Sequence, residues 1–318
     1  MSPPRVRIAA IVNPVAGRRT MLPRVRRIQK LLALRGAALD ILVTRAKGHA
    51  SELSASLPAD TEALLVAGGD GTVGEVINGL PPPPLPRGDT EGSTSPPLLL
   101  FRAGTENLAA RELNMPVDPD RVVETLLHGV PHSCDLGEIN GRRFLAICGI
   151  GFDAECVLRM SKSRRGHITH ADYFWPIWRA FWSYDFPDMC LEVDGARVFE
   201  GRGLALISNI PRYSIGLNLL WKARTNDARL DLGIFPCSTR TALVDHAARA
   251  LLGLQESHGK MLYHQGQTIR ITSLHPVPIE IDGEIGGTLP AICTVLPNGL
   301  TILSTTRRLD TASEPETI

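Results

Sequence analysis

Short apolar runs alternate with amphipathic segments along the first third of the chain. The pattern predicts buried strands at residues 6–12, 39–44, 63–67 and 98–102, and helices at residues 21–34, 50–57, 72–80 and 105–113. Strands that alternate with helices are typical of a parallel sheet covered on both faces. We therefore predict an N-terminal doubly wound α/β domain over residues 1–130.

The pattern changes after residue 131, where short strands dominate. They are predicted at residues 144–148, 190–193, 203–207, 230–235, 268–272, 278–281, 292–296 and 300–303. Many are separated by Asp-Gly or Asn-Gly pairs, at residues 140–141, 194–195, 282–283 and 298–299, which favour tight turns. Two helical stretches interrupt them, near residues 171–184 and 238–252. These features predict a β-sandwich domain over residues 131–305, followed by a tail at 306–318.

A proline-rich segment interrupts the first domain at residues 81–97. Proline lacks the backbone donor that helices and central strands need, so an exposed, mobile loop is predicted. No stretch approaches 18 apolar residues, and the first residues lack the apolar core of a signal peptide. The six scattered cysteines show no metal-binding spacing and predict reduced core thiols in a cytoplasmic protein.

The charge balance limits the partners. With 34 basic and 33 acidic side chains, the formal net charge is +1, which argues against a dedicated nucleic-acid binder. Between residues 1 and 48, however, there are eleven Lys or Arg side chains and one acid, Asp40. This local excess favours a phosphate-rich ligand or an anionic membrane surface, and a solvated basic face is the alternative.

The most specific motif consists of Gly68, Gly69, Asp70, Gly71 and Thr72, between a predicted strand and a predicted helix. Backbone N–H groups and the positive end of a helix bind phosphate, and glycine lets the backbone come close to it. The Asp70 carboxylate would repel a phosphate, but it can orient the loop or hold a metal-bound water. A plain strand-to-helix turn is the alternative.

Two more strand-to-helix junctions carry small and polar residues. Asn13–Gly17 follow the first strand and precede Arg18 and Arg19, while Thr105 and Asn107 follow the fourth strand. A surface turn and a simple helix cap by Thr105 are the respective alternatives. Because ligands of open α/β sheets bind at the carboxyl ends of the strands, the three junctions together predict a ligand site at that edge.

The segments NPVAG, GGDGT, GTENLAAREL, LDLGIFP and IEIDGE, in this order, resemble the diacylglycerol kinase catalytic family, which includes bacterial lipid kinases and the sphingosine and ceramide kinases. The resemblance covers nearly the whole chain. It implies transfer of the γ-phosphate of ATP, with Mg²⁺, to the hydroxyl of a lipid alcohol, most similar to diacylglycerol. It also implies an active site in the cleft between a nucleotide-binding α/β domain and a β-sandwich domain.

The resemblance further implies roles for individual residues. Nucleotide contacts are expected from Asn13, Gly17, Thr44, Gly68, Gly69, Asp70, Gly71, Thr72, Thr105 and Asn107. Glu284 is expected to be the general base, with Asp282 beside it and Asp70 as the third catalytic acid. A structural Mg²⁺ is expected on the Asp227 side chain and on backbone carbonyls near Arg224 and Arg229.

The chain also departs from the family pattern. Glu106 stands where many relatives have glycine, and Leu108 where they have an acid; Ala228 and Arg229 replace Gly and Leu in the metal segment. Two alternatives therefore stay open: an NAD kinase-like enzyme, which would share GGDGT, and a non-catalytic regulator that binds nucleotide or lipid. The retained acids of GGDGT and DGE favour an enzyme, and the later segments favour the lipid branch.

Half of the aromatic residues lie between Tyr173 and Phe186. Trp175, Trp178 and Trp182 follow helical spacing and would share one face, and a basic stretch lies just upstream. Aromatic side chains beside basic ones are typical of a membrane interface. We predict a cytoplasmic protein that docks peripherally on anionic membranes, with a helix packed on the sandwich as the alternative.

Overall fold

The computed structural model describes residues 6–17, 21–82, 95–103, 107–163, 174–254 and 260–305. The chain forms two compact units, residues 1–134 with 298–318, and residues 135–297. It passes between them within two strands, β5 (Val130–Ile139) and β15 (Ala291–Ser304). Residues 298–305 were predicted in the second domain, but their contacts group them with the first unit, because Ile302 pairs with Leu98 there.

The first unit contains alternating strands and helices. In chain order these are β1 (Val6–Val12), α1 (Leu22–Leu34), β2 (Ala37–Val43), α2 (His49–Ala55), β3 (Ala63–Gly68), α3 (Asp70–Gly79), β4 (Leu98–Arg102), α4 (Leu108–Glu112) and α5 (Pro119–His128). The strands pair in parallel in the order β4-β3-β1-β2, and the end of β15 adds a further parallel strand beside β4. All six residues of β3 are buried, as expected for a central parallel strand.

The strand order makes this sheet doubly wound. The chain moves outward from β1 to β2, then returns across β1 to β3 and on to β4. Because crossovers between parallel strands are right-handed, this reversal places α1 on one face and both α2 and α3 on the other. Accordingly, α2 packs on α3, and α1 packs on α5. The predicted α/β architecture is confirmed.

In the part of the chain that the structure describes, the second unit is a β-sandwich with three α-helices. Its further elements are β6 (Arg142–Phe144), β7 (Ile147–Ile150), α6 (Phe152–Ser163), α7 (Phe174–Ser183), β8 (Asp188–Val193), β9 (Ala196–Ser208), β10 (Leu230–Pro236), α8 (Arg240–Leu251), β11 (Leu262–Gly266), β12 (Thr268–Ser273), β13 (Pro278–Ile281) and β14 (Glu284–Thr288). One sheet has the order β11-β10-β9-β7-β13-β14, and the other contains β9-β8-β12-β15 with β5 and β6. The predicted sandwich is confirmed.

Strand β9 belongs to both sheets of the sandwich. Its first half pairs with β8, and its second half pairs with β7 and β10. Gly201, with φ of 144°, lies at the change of partner, where a residue with a side chain would be strained. Alternate apolar residues of both sheets, such as Leu191, Leu232 and Ile269, form the shared core.

Several predicted elements differ from the structure. The strand predicted at 144–148 is divided between β6 and β7. The Asn-Gly pair at 298–299 was predicted to separate two strands, and this is wrong, because β15 continues through it from one unit to the other with Asn298 at φ 52°. The Asp-Gly pairs at 194–195 and 282–283 do form hairpin turns, with positive φ at both residues.

The sequence reading missed α5, α6, β5, β11 and β14. For α5 a signal was present, since Asp118 caps the helix by accepting from the N–H groups of Asp120 and Arg121, and Pro119 occupies its first position. Most of the proline-rich segment, at 83–94, and the predicted tail, at 306–318, lie outside the described residues.

All six cysteines are free, and five of them are buried. Within the described residues, none of the helices combines the length and the apolar character that crossing a lipid bilayer requires.

Candidate active site

The carboxyl ends of the parallel strands bring three of the predicted nucleotide-binding segments to one edge of the first unit. Beyond the strand ends, the Asn13 N–H donates to the Ala67 carbonyl at 2.9 Å, and the Thr44 N–H donates to the Val12 carbonyl at 2.9 Å. Asn13, Thr44 and the GGDGT turn after β3 are therefore neighbours. The sequence predicted that the segments after β1 and β3 meet at this edge, and the family resemblance added Thr44.

The Asn13 side chain joins two of these segments. Its Nδ2 donates to Oγ1 of Thr72 at 3.0 Å, and its Oδ1 accepts from the Val15 N–H at 3.1 Å. One amide thus connects the loop after β1 to the first turn of α3, and the described part of this loop ends at Gly17, with φ of 73°. Arg18 and Arg19 lie outside the described residues.

Glycine at position 68 is required by a close approach. A Cβ there would lie 2.6 Å from Oγ1 and 2.7 Å from Cγ2 of Thr72. The strand can pass this close to the helix only without a side chain. Helix α3 begins at Asp70, after Gly69, which offers no side-chain cap. The start of α3 therefore combines a close backbone approach with the positive end of a helix, a combination that is typical of anion-binding sites.

The junction after β4 is described only in part. The Ala103 N–H donates to the Gly68 carbonyl at 3.1 Å, which places this junction beside the GGDGT turn. Thr105, a predicted nucleotide contact, lies outside the described residues. Asn107 is buried with φ of 50° and precedes α4, which starts at Leu108, later than predicted. A nucleotide contact by Asn107 stays a prediction.

In the second unit, the predicted catalytic acids lie on the β13–β14 hairpin. Both oxygens of Asp282 accept from backbone N–H groups, those of Leu145 and Ala146 at 3.1 Å and that of Ile147 at 2.8 Å. Burial raises the pKa of Asp282 and outweighs these hydrogen bonds, which lower it. Asp282 therefore fixes the hairpin turn to the segment between β6 and β7.

Glu284, the predicted base, is the first residue of β14. Its carboxylate forms an ion pair with Arg142 at 2.8 Å, and its side chain is 15% exposed. The same guanidinium donates to the Ile285 carbonyl at 3.1 Å. Arg142, which the sequence reading missed, fixes the direction of the carboxylate while part of it stays accessible.

A buried acidic cluster, also missed from the sequence, lies behind this turn. The carboxyl groups of Glu280 and Asp153 are hydrogen-bonded to each other, and the Tyr213 hydroxyl donates to Asp153. Burial raises the pKa of both acids, that of Glu280 well above its ordinary value. A signal existed, because Glu280 interrupts the apolar strand that ends at Ile281.

The predicted metal segment forms a loop lined by acids. The Asp135 carboxylate accepts from the Ala228 N–H at 2.7 Å, and Asp227 accepts from the Arg229 N–H at 3.1 Å. Asp231 is fully buried, and its Oδ2 has no hydrogen-bond partner among the residues that the structure describes. Burial is the largest cause that raises the pKa of Asp231, to about 6, and Asp227 raises it further.

The replacement of the glycine that the family resemblance implies falls at a backbone position that favours glycine. Ala228 has φ of 57°, the left-handed conformation that a glycine adopts without strain.

The aromatic segment is helical, and its two sides differ. Ala180 is buried, whereas Trp175, Trp178 and Trp182 are 57%, 45% and 54% exposed. Arg179 lies over the Trp175 ring, and the helix packs on α6. The predicted common face of the three tryptophans is thus on the solvent side.

The fold and these sites define a class of protein, namely a doubly wound α/β domain followed by a β-sandwich that carries buried and partly exposed acids. The family model of the diacylglycerol kinase catalytic domain matches residues 7–139, and that of the YegS C-terminal NAD kinase beta sandwich-like domain matches residues 146–304. The chain belongs to the diacylglycerol kinase family and is, by that membership, a lipid kinase.

Known relatives match along nearly their whole length. The chain is 29% identical over 298 residues to a diacylglycerol kinase of Staphylococcus carnosus (strain TM300), covering 90% of this chain and 91% of the relative. It is 24% identical over 287 residues to a diacylglycerol kinase of Bacillus subtilis (strain 168), covering 89% and 91%. A solved structure of a diacylglycerol kinase from Bacillus anthracis str. Sterne has the same fold, with a TM-score of 0.72 and 22% identity over 93% of this chain and 96% of that one.

Proposed function

We propose that this protein transfers the γ-phosphate of ATP to the hydroxyl group of a lipid alcohol, with diacylglycerol as the first candidate. One observation carries the proposal. At the edge of the first unit, the Asn13 amide connects the loop after β1 to Thr72 at the glycine-lined start of α3. Backbone N–H groups and the helix end would hold the phosphates there.

Glu284 would act as the general base. In this step its carboxylate takes the proton of the lipid hydroxyl, the hydroxyl oxygen forms a bond to the γ-phosphorus, and the bond from that phosphorus to the bridging oxygen breaks to release ADP. Arg142 supports this role because its ion pair keeps the carboxylate in one orientation. Asp70, at the first position of α3, would orient the phosphate loop or hold a metal-bound water.

The acidic loop of the second unit fits a divalent cation. Within the described residues, the buried Oδ2 of Asp231 has no hydrogen-bond partner, and burial and the nearby Asp135 raise the pKa of Asp227. Acidic groups therefore lie close together in this loop, and Arg229 offsets only part of their effect on Asp227. Among the described residues no three His, Cys, Asp or Glu side chains group as metal ligands. The ligands would therefore be Asp227 and the carbonyls of Arg224 and Arg229, oxygen donors that suit Mg²⁺. Bound there, Mg²⁺ would neutralise the loop.

The exposed tryptophans of α7 would bring the enzyme to its substrate. A lipid with two acyl chains stays in the bilayer, so the protein must work at the membrane surface. Tryptophan side chains favour the headgroup region, and Arg179 beside Trp175 would meet anionic headgroups. We propose peripheral association of a cytoplasmic enzyme with anionic membranes through this face.

The test is a phosphate-transfer assay with ATP labelled at the γ-phosphate. Acceptors are diacylglycerol, a sphingoid base, an undecaprenyl-like alcohol and NAD, and the Asp70→Ala variant is the blank. Labelled phosphate on a lipid alcohol, absent from the blank, supports the proposal.

Two outcomes would contradict it. Label on NAD alone would indicate the NAD kinase-like alternative. Binding of ATP and lipid vesicles without label on any acceptor would indicate a non-catalytic regulator.

A further inference from the structure

A second acid contacts the turn that carries Glu284, from inside the sandwich. Oε2 of Glu280 accepts from the Gly283 N–H at 2.8 Å, while Asp282 holds the same turn to residues 145–147. The turn is thus fixed by two carboxyl groups, one from its own tip and one from the last part of β13.

We propose that the Glu280–Asp153 pair, with one shared proton, is a positioning device that fixes the Asp282–Gly283 turn and thereby places Glu284 for proton abstraction. Glu280 is a positioning residue in this proposal, since it acts through the Gly283 N–H on the next residue along the chain. The inference deepens the proposed function and rests on it for the role of Glu284.

A purely structural role explains this pair poorly. Glu280 is 3% exposed, and a buried acid pair costs stability that apolar side chains of similar volume would not. Space is also reserved for the pair, because a Cβ at Gly149 would lie 2.8 Å from Oε1 of Glu280 and 2.5 Å from Oδ2 of Asp153. The strand β7 therefore passes directly beneath both carboxyl groups.

The donors and acceptors indicate where the proton resides. Asp153 accepts from the Tyr213 hydroxyl and contacts the Glu280 carboxyl, so an ionised Asp153 accepts on both sides. Glu280 must accept from the Gly283 N–H and donate to Asp153, which a protonated carboxyl group does. Burial, followed by the charge of Asp153, raises the pKa of Glu280 and supports this assignment.

This assignment predicts opposite results for two conservative substitutions. In Glu280→Gln, the amide oxygen still accepts from Gly283 and the NH₂ group still donates to Asp153, so kcat should stay within about threefold of the wild type. In Asp153→Asn, one of the two acceptors is replaced by a donor, and kcat should fall by about 10- to 100-fold. Glu280→Ala should lose as much as Asp153→Asn.

The Michaelis constant separates positioning from general damage. The proposed nucleotide contacts lie in the first unit, so KM for ATP should stay within about twofold in all three variants. Glu200→Gln is the matched control, because Glu200 is exposed on β9 and forms an ion pair with Arg197 of the same strand at 2.7 Å.

Amide hydrogen exchange tests the rigidity of the turn independently of any activity assay. At neutral pH, protection of the amides in residues 278–288 should fall by about tenfold or more in Glu280→Ala and remain in Glu280→Gln. If the wild type phosphorylates no lipid but shows the expected exchange pattern, the proposed function is refuted. The proposal that the Glu280–Asp153 pair fixes the Asp282–Gly283 turn is then still supported.

The pH dependence of stability gives a third readout. Tyr213, Asp282, Cys148 and Cys156 face the pair. Because the pKa of Glu280 is raised by folding, the folded protein keeps a proton that the unfolded chain loses above the ordinary pKa of 4.5. The contribution of this proton to stability is therefore lost as the pH rises. We therefore expect the melting temperature of Glu280→Gln minus that of the wild type to increase as the pH is raised from mildly acidic to alkaline.

The proposal is overturned by either of two results. One is Glu280→Gln that is as impaired as Glu280→Ala, which would mean that Glu280 acts as an anion. The other is Glu280→Ala with unchanged kcat and unchanged exchange, which would mean that the turn does not depend on the pair. If Glu280→Ala fails to fold, Asp153→Asn and Glu280→Gln decide between the same alternatives.

Discussion

At the residue scale, close approaches between strand and helix determine which side chains are tolerated where the parallel strands of the first unit end. Gly68 leaves room for Thr72, and Thr72 in turn accepts from the Asn13 side chain at 3.0 Å. A change at any of these three residues therefore reaches the other two, because each fixes the position of the next.

Two glycines near the start of α3 allow a matched test. In Gly68→Ala the new methyl would meet Thr72, so we expect a loss of about 1–3 kcal/mol in the free energy of unfolding and about tenfold weaker ATP binding. In Gly74→Ala the methyl would meet no atom within 4 Å, so we expect a gain of about 0.5–1 kcal/mol and unchanged ATP binding. Urea unfolding and calorimetric titration measure both, and equal effects of the two substitutions would contradict the account.

The proposed base gives a second test at this scale. Glu284→Gln removes the proton acceptor, so kcat should fall by about 10²- to 10⁴-fold, while ATP binding is retained because its proposed contacts lie in the first unit. The measurements are labelled phosphate transfer and ATP titration, with Glu200→Gln as the control. Full turnover in Glu284→Gln would remove Glu284 from the role.

At the element scale, the basic N-terminal region is only partly available for a ligand. Arg7 pairs with Asp40 and Asp60, Arg27 with Asp120 and Arg35 with Glu124. The excess of positive charge seen in the sequence is therefore reduced in the folded unit by acids that are distant along the chain. These pairs are exposed to solvent, so each contributes little to stability.

Helix α7 differs, because its exposed side is aromatic. The Trp182 ring lies beneath Arg240, whose guanidinium also donates to the carbonyls of Phe181 and Trp182, so the start of α8 holds the end of α7. One side of α7, with Ala180 buried, packs on α6, and the other side exposes the tryptophans; docking of that exposed side on a membrane stays a prediction.

The membrane role of α7 can be measured directly. The double variant Trp178→Ala and Trp182→Ala should bind vesicles that contain phosphatidylglycerol at least about tenfold more weakly, because two large apolar side chains no longer enter the interface. Leu274→Ala, at a position that is 92% exposed outside α7, is the control in the same co-sedimentation assay. Unchanged binding of the double variant would place the docking surface elsewhere.

At the scale of the whole molecule, two strands connect the units. Both β5 and β15 begin in one unit and end in the other, so the first unit consists of two separate stretches of chain, whereas the second is the continuous stretch 135–297. The first unit therefore includes residues 298–305, which pair beside β4 only after the sandwich has been completed along the chain.

Magnesium should stabilise the molecule through the acidic loop. A cation near Asp227 would relieve the repulsion among Asp135, Asp227 and Asp231, so Mg²⁺ should raise the melting temperature of the wild type, and EDTA should reverse the increase. Asp227→Asn should lose most of this response, whereas Asp188→Asn, an exposed acid paired with Arg202, should keep it. An equal response in both variants would exclude Asp227 as a ligand.

Local patterns in the sequence determined most of the strands and helices, the glycine-lined turn after β3 and the hairpin turn at Asp282, because strand alternation, helix periodicity and turn chemistry are encoded within a few neighbouring residues. The family resemblance supplied the chemical class from motifs of the same local kind.

Tertiary structure decided what depends on distant pairs. Asn13 and Thr72 are 59 residues apart, Arg142 and Glu284 are 142 apart, and each contact arises only when separate strands pair in register. The same reason explains why β15 continues through an Asn-Gly pair and why Glu280 and Asp153 share a buried site. Strand pairing and burial, which no local pattern specifies, placed these groups together.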